Sequence, residues 1–132
     1  MQRKAILEHT DITRLMAAAR EEAQRHGWAV SIAVVDDGGH PLALARLDGC
    51  APIAAYIATE KARSAALGRR DTKGYEDMVN GGRIAFVSAP LLTSLEGGLP
   101  VRVDGQVIAA IGVSGVKAEQ DAQVAAAGIA AL

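Results

Sequence analysis

Asp104-Gly105 stands between two apolar runs, Leu99 to Val103 and Gln106 to Ser114, and constrains the fold more than any other feature of the chain. A type I′ turn needs positive φ at both central residues, and Asp-Gly accepts this readily, so the spacing predicts a tight hairpin. On the second run Val107, Ala109, Ile111 and Val113 alternate with Ile108, Ala110, Gly112 and Ser114. Both faces are apolar or small, which predicts a central strand covered on two sides. Glycines at Gly97-Gly98, Gly112 and Gly115 bracket the hairpin, permitting positive φ or close approach by another backbone, a ligand or a subunit.

Upstream, Ile12, Leu15, Met16, Ala19 and Ala23 recur at helical spacing, with Thr10 or Asp11 as the cap and Gly27 as the stop. Trp28 to Val35 reads as a second doubly covered strand, Asp36-Asp37-Gly38-Gly39 as a turn, and His40 to Leu47 as the returning strand. Pro41 puts that strand at an edge or a strand start, because proline cannot donate to the ladder. A helix is expected from Pro52 to Leu67, with a narrow face of Ala54, Ala58, Ala62, Ala65 and Ala66 suited to tight packing. Residues 71–82 carry several breakers, so a surface loop or lid with a short helical stretch around Tyr75 to Val79 is expected there. Ile84 to Ser88 and Leu91 to Glu96 are short apolar runs, and the second is expected to be a strand leading into Gly97-Gly98. Ala118 to Leu132 closes the chain as a helix with Asp121, Val124, Ala125, Gly128, Ile129 and Leu132 on one stripe. Helices flanking a hairpin-built sheet predict a three-layer α+β domain.

Composition limits what such a domain does. The 132 residues suit one domain, taken here as 1–132, and only four of them are aromatic, so the core is built from Ala, Val, Ile and Leu. A net charge of −1, with 14 basic and 15 acidic residues scattered along the chain, argues against nucleic-acid binding. The first nine residues lack the apolar core of a secretory signal and no run is long enough to span a membrane, so a cytoplasmic location is expected. Cys50 is the single cysteine, which rules out an intrachain disulfide and reads as an inert small residue.

The candidate chemistry is sparse. His9, His26 and His40 show no metal-ligand spacing, so no metal site is expected, and His40 after its turn is either a solvated strand residue or a general base. Tyr56 and Tyr75 read first as packing residues. Lys61 lies in line with Ile53 and Ile57 on the second helix, where it either snorkels to water or presents a cation to a cavity. Lys61 and Arg46 can clamp a carboxylate, Gly97 and Gly98 can offer backbone donors to an oxyanion, and Glu96 can serve as a proton-transfer base. The alternative is a pair of structural ion pairs, Arg46 with Asp36 and Lys61 with Glu96.

Several phrases together resemble the GlcG/HbpS family of haem-associated domains, which also occurs as the C-terminal domain of PduO-type corrinoid adenosyltransferases. They are Ile32-Ala-Val-Val-Asp36 with Gly39 and His40, Arg46-Leu-Asp-Gly49, Lys61-Ala62 with Ala65, Gly97-Gly98-Leu-Pro100, Asp104-Gly105, Ala110-Ile-Gly-Val-Ser-Gly115, and Gln120-Asp121. The resemblance implies a profilin-like fold with a five-stranded, mainly antiparallel sheet between helices, and homo-oligomers in which dimers build rings or octamers. It also implies binding of haem or a related tetrapyrrole, with Arg46, Lys61, Gly97, Gly98 and His40 as the residues to examine, His40 as a candidate iron ligand and Tyr56 and Tyr75 as weaker ones. The rival reading is a cofactor-free lyase or isomerase acting on a small hydroxylated or carboxylated metabolite through Lys61, Glu96 and Arg46. A third is a ligand-free scaffold.

Overall fold

The hairpin forms as its turn chemistry demands: in the computed structural model, which describes residues 1–132, Asp104 and Gly105 have φ of 50° and 76°. They join β3 (Gly98–Val103) to β4 (Gln106–Ser114). β1 (Ser31–Asp36) pairs antiparallel with the other side of β4, and β2 (Pro41–Arg46) pairs antiparallel with β1. The sheet order is β2-β1-β4-β3, so β4 is central and β2 is an edge strand opened by Pro41. Every residue of β4 from Val107 to Ser114 is buried, as its two apolar faces require.

Helices cover both faces. α1 (His9–Arg25) and α4 (Ala118–Ile129) pack together on one side, where Leu15, Ala19, Ile32, Val34, Ile111, Val113 and Val124 belong to the larger core. α2 (Pro52–Gly68) lies on the other, and its Ala58, Ala62, Ala65 and Ala66 meet Ala33, Val35 and Ala110. Alanine against alanine brings helix and strand unusually close: a Cβ placed on Gly112 would strike the Ala58 carbonyl and lie 2.5 Å from the Ala62 nitrogen. Gly112 is therefore the point at which α2 rests on the sheet.

Some expected details differ. α1 begins earlier than expected, at His9 with Glu8 rather than Thr10 or Asp11 as its cap, because Asp11 accepts the Glu8 N–H at 2.9 Å and so closes the first turn from inside. The breaker-rich stretch forms α3 (Thr72–Asn80), longer than the helical stretch expected around Tyr75 to Val79, since Tyr75 packs against Phe86 and lies beneath the Arg70 guanidinium. Residues 84–88 form a short 3₁₀ helix.

The sheet has four strands rather than five. Leu91 to Glu96 makes no ladder because Leu91 is left-handed at φ 58° and the Thr93 N–H is taken by Ser64 Oγ at 2.8 Å. No helix is long and apolar enough to cross a membrane.

Candidate functional site

Lys61 defines the most unusual local chemistry. Along α2 the row Ile53, Ile57, Lys61 runs from solvent into the interior: Ile53 is 64% exposed and Lys61 only 3%. The ammonium does not snorkel. It donates to the Val113 carbonyl at 2.9 Å and to Asp121 Oδ2 at 3.1 Å, closing a buried ion pair between α2 and α4. Asp121 Oδ1 accepts the Val116 N–H at 3.2 Å. Burial pushes the Asp121 carboxyl above its ordinary range, while Lys61 pulls the other way.

Gly97 and Gly98 make room for this pair. Gly97 adopts φ 129°, and a Cβ there would lie 2.7 Å from the Val113 carbonyl oxygen and 2.9 Å from Lys61 Nζ. A Cβ on Gly98 would meet the Lys61 carbonyl and the Thr72 methyl, and its N–H donates to Thr72 Oγ1 at 2.9 Å. The glycines are thus packed against Lys61 instead of forming the rim of an open pocket in front of it.

The remaining candidates lie elsewhere. Lys61 pairs with Asp121 rather than Glu96; the Lys73 ammonium, raised chiefly by its hydrogen bonds with Asp77, also feels the Glu96 charge. Asp36 does not pair with Arg46: its Oδ1 accepts the N–H groups of Gly38 and His40, both at 2.9 Å, and lies 3.1 Å from His40 Nδ1. Arg46 sits opposite Ser31, which sits opposite Ser114, so Arg46 shares a sheet end with the Lys61 pair but lies on the far edge strand. His40 precedes the opposite end of β2 and is exposed. Lys61, Gly97 and Gly98 therefore meet, whereas Glu96, Arg46 and His40 occupy three other places. Asp121 is the residue that pattern reading left without a role. Its signal was an acid on the apolar stripe of α4, a position that calls for a buried cation.

Open space lies on the outer side of α2. Leu44 and Arg46 of β2 face Pro52, Tyr56 and Glu60 of α2 across a groove of 560 Å³, within the range of small-molecule sites. Leu44 is 54% and Tyr56 76% exposed, so apolar and aromatic surface is presented between a guanidinium at Arg46 and a carboxylate at Glu60. The groove exists because β2 is an edge strand whose α2-facing side chains extend past the narrow alanine face of the helix.

The family described as "Haem degrading protein HbpS-like" matches residues 7–130. Protein GlcG of Escherichia coli (strain K12) is 68% identical over 114 residues, covering 86% of this chain and 85% of that protein. A crystal structure of a double mutant of Streptomyces reticuli HbpS aligns with a TM-score of 0.91 at 32% identity, covering 100% of this chain and 90% of that one. A crystal structure of a PduOC:haem complex aligns with a TM-score of 0.89 at 27% identity, covering 97% and 96% of the two chains. With nearly the whole sequence matched and the same α+β fold, the chain belongs to the HbpS-like family.

Proposed function

We propose that this protein binds haem or a related tetrapyrrole in the groove between β2 and α2. The observation that carries the reading is the groove itself, an apolar and aromatic cleft with a guanidinium at one end, in a chain whose fold matches that of a haem complex. Leu44 and Pro52 offer apolar contact for a porphyrin plane, Arg46 a fork for a propionate, and Tyr56 an oxygen of the kind that can ligate haem iron. Bound haem would supply redox and oxygen chemistry that no side chain of this protein provides. Lys61, Gly97 and Gly98 enter this reading as the packed framework holding α2 in place, not as direct contacts.

The same reading takes the protein as a cytoplasmic homo-oligomer. Leu42 and Leu44 lie exposed on the edge strand and Ile53 and Tyr56 on the adjoining helix, surface that favours association of copies into dimers and larger rings. Haemin titration with absorption spectroscopy tests the proposal. A saturable Soret shift that weakens in Arg46→Ala and Tyr56→Phe supports it; no shift, or a shift indifferent to both substitutions, overturns it.

A further inference from the structure

A second cavity lies at the hairpin end of the molecule and has the opposite character. It encloses 460 Å³ and is lined by Lys4, Arg69, Arg102, Gln2 and Gln106, with no carboxylate in its wall. Neither Arg69 nor Arg102 takes part in any ion pair of the chain. The Lys4 charge is met by Asp37. Asp104 lines the adjoining depression, together with Arg3.

The backbone of Arg69 brings the two arginines together in the wall of this cavity. Arg69 caps α2 in the left-handed conformation at φ 57°, a geometry usually left to glycine or asparagine. Arg102 Nη2 donates to the Arg69 carbonyl at 2.7 Å. That bond covers the carbonyl at the negative end of the α2 dipole, which would otherwise repel an anion. It uses one of the five N–H donors of Arg102 and leaves the rest free. Gln106 Nε2 donates to Gln2 Oε1 at 3.4 Å, so the exposed N-terminal segment contributes to the wall of the same cavity.

From this arrangement we infer that the cavity bounded by Arg69, Arg102, Lys4, Gln2 and Gln106 is a binding site for a small oxyanion, a phosphate- or carboxylate-bearing metabolite. Guanidinium forks match both groups bidentately, and the two amides add neutral donors. The site is separate from the β2/α2 groove and does not depend on haem binding there.

Calorimetric titration at low ionic strength with inorganic phosphate and, separately, with citrate tests it, with backbone amide shifts read in parallel by NMR. Saturable binding is expected, with shifts confined to Gln2 to Lys4, Arg69, Arg102 and Gly105 to Val107. Phosphate alone binding assigns a phosphate ester, citrate alone a polycarboxylate, and both the shared oxyanion chemistry. Arg69→Gly suits the left-handed backbone, so it is expected to keep the fold and haemin binding while lowering anion affinity tenfold or more; Arg102→Gln is expected to do the same. Absence of saturable binding by either anion, shifts located elsewhere, or affinities unchanged in both variants would overturn the inference.

Discussion

Lys61 and Asp121, 60 residues apart in sequence, meet at 3.1 Å and tie α2 to α4 around the end of the sheet. The two helices lie on opposite faces, so this pair is the direct ionic link between the outer layers. Its energetics follow from burial. Removing one partner leaves an uncompensated charge where water cannot reach it, whereas removing both leaves none. Lys61→Met is therefore expected to destabilise the fold by about 3–5 kcal/mol, and adding Asp121→Asn to cost less than the sum of the two single changes. Urea unfolding of the four proteins in that cycle checks this; strict additivity would mean the pair is uncoupled.

Asp121 and Glu22 push the pH dependence of stability in opposite directions. Burial raises the Asp121 carboxyl above its ordinary 3.8, so its stabilising contribution is complete below the unfolded value and is lost as pH rises through the folded one. Glu22 is lowered below its ordinary 4.5, first by the hydrogen bond from Gln123, so its contribution is present above the unfolded value and lost as pH falls through the folded one. Asp121→Asn should steepen the loss of stability toward acid and Glu22→Gln should flatten it. Urea midpoints between about pH 3 and pH 7 resolve the two slopes, and curves parallel to that of the parent protein would refute the assignment.

Two glycines separate lack of space from backbone conformation. Gly112→Ala drives a methyl into the Ala58 carbonyl of α2, where helix backbone cannot yield without lifting from the sheet, and should cost at least about 1–3 kcal/mol. Gly105→Ala meets nothing within 4 Å, so only its φ of 76° is penalised, at roughly 1–2 kcal/mol. Thermal melts of both variants should rank Gly112→Ala as the more damaging. The reverse order would mean that α2 rides further from β4 than its geometry indicates.

A charge introduced into the groove addresses binding and association together. Leu44→Glu places a carboxylate on an exposed apolar position of β2 without disturbing the core, since Leu44 is 54% exposed. Haemin affinity should fall about tenfold or more, and light scattering should show smaller assemblies, while the melting temperature changes little. Unchanged affinity and assembly would remove this face from both roles.

The strand expected from Leu91 to Glu96 shows where pattern reading stops. The run is apolar enough for a strand, yet a strand needs a neighbour with free backbone groups, and the Thr93 N–H finds Ser64 Oγ instead. Equally, Lys61 in line with two isoleucines signals an unusual lysine but says nothing of what receives its charge. Glu96, next to Gly97 in the chain, was the nearer candidate in sequence; Asp121 is the nearer one in space.

Turn chemistry and periodicity are local properties, and they alone determined the Asp104-Gly105 hairpin, the doubly buried β4, Pro41 at a strand start or edge, and the alanine face of α2. These follow from backbone sterics and from which side chains repeat every two residues or every turn. The tertiary structure decided what no local pattern encodes: the partner of Lys61, the placement of Arg46 and His40 at opposite ends of one strand, and the gathering of Arg69 and Arg102 at one cavity. Each depends on loop closure and layer packing bringing distant segments into contact, which the chain's short-range preferences permit but do not specify.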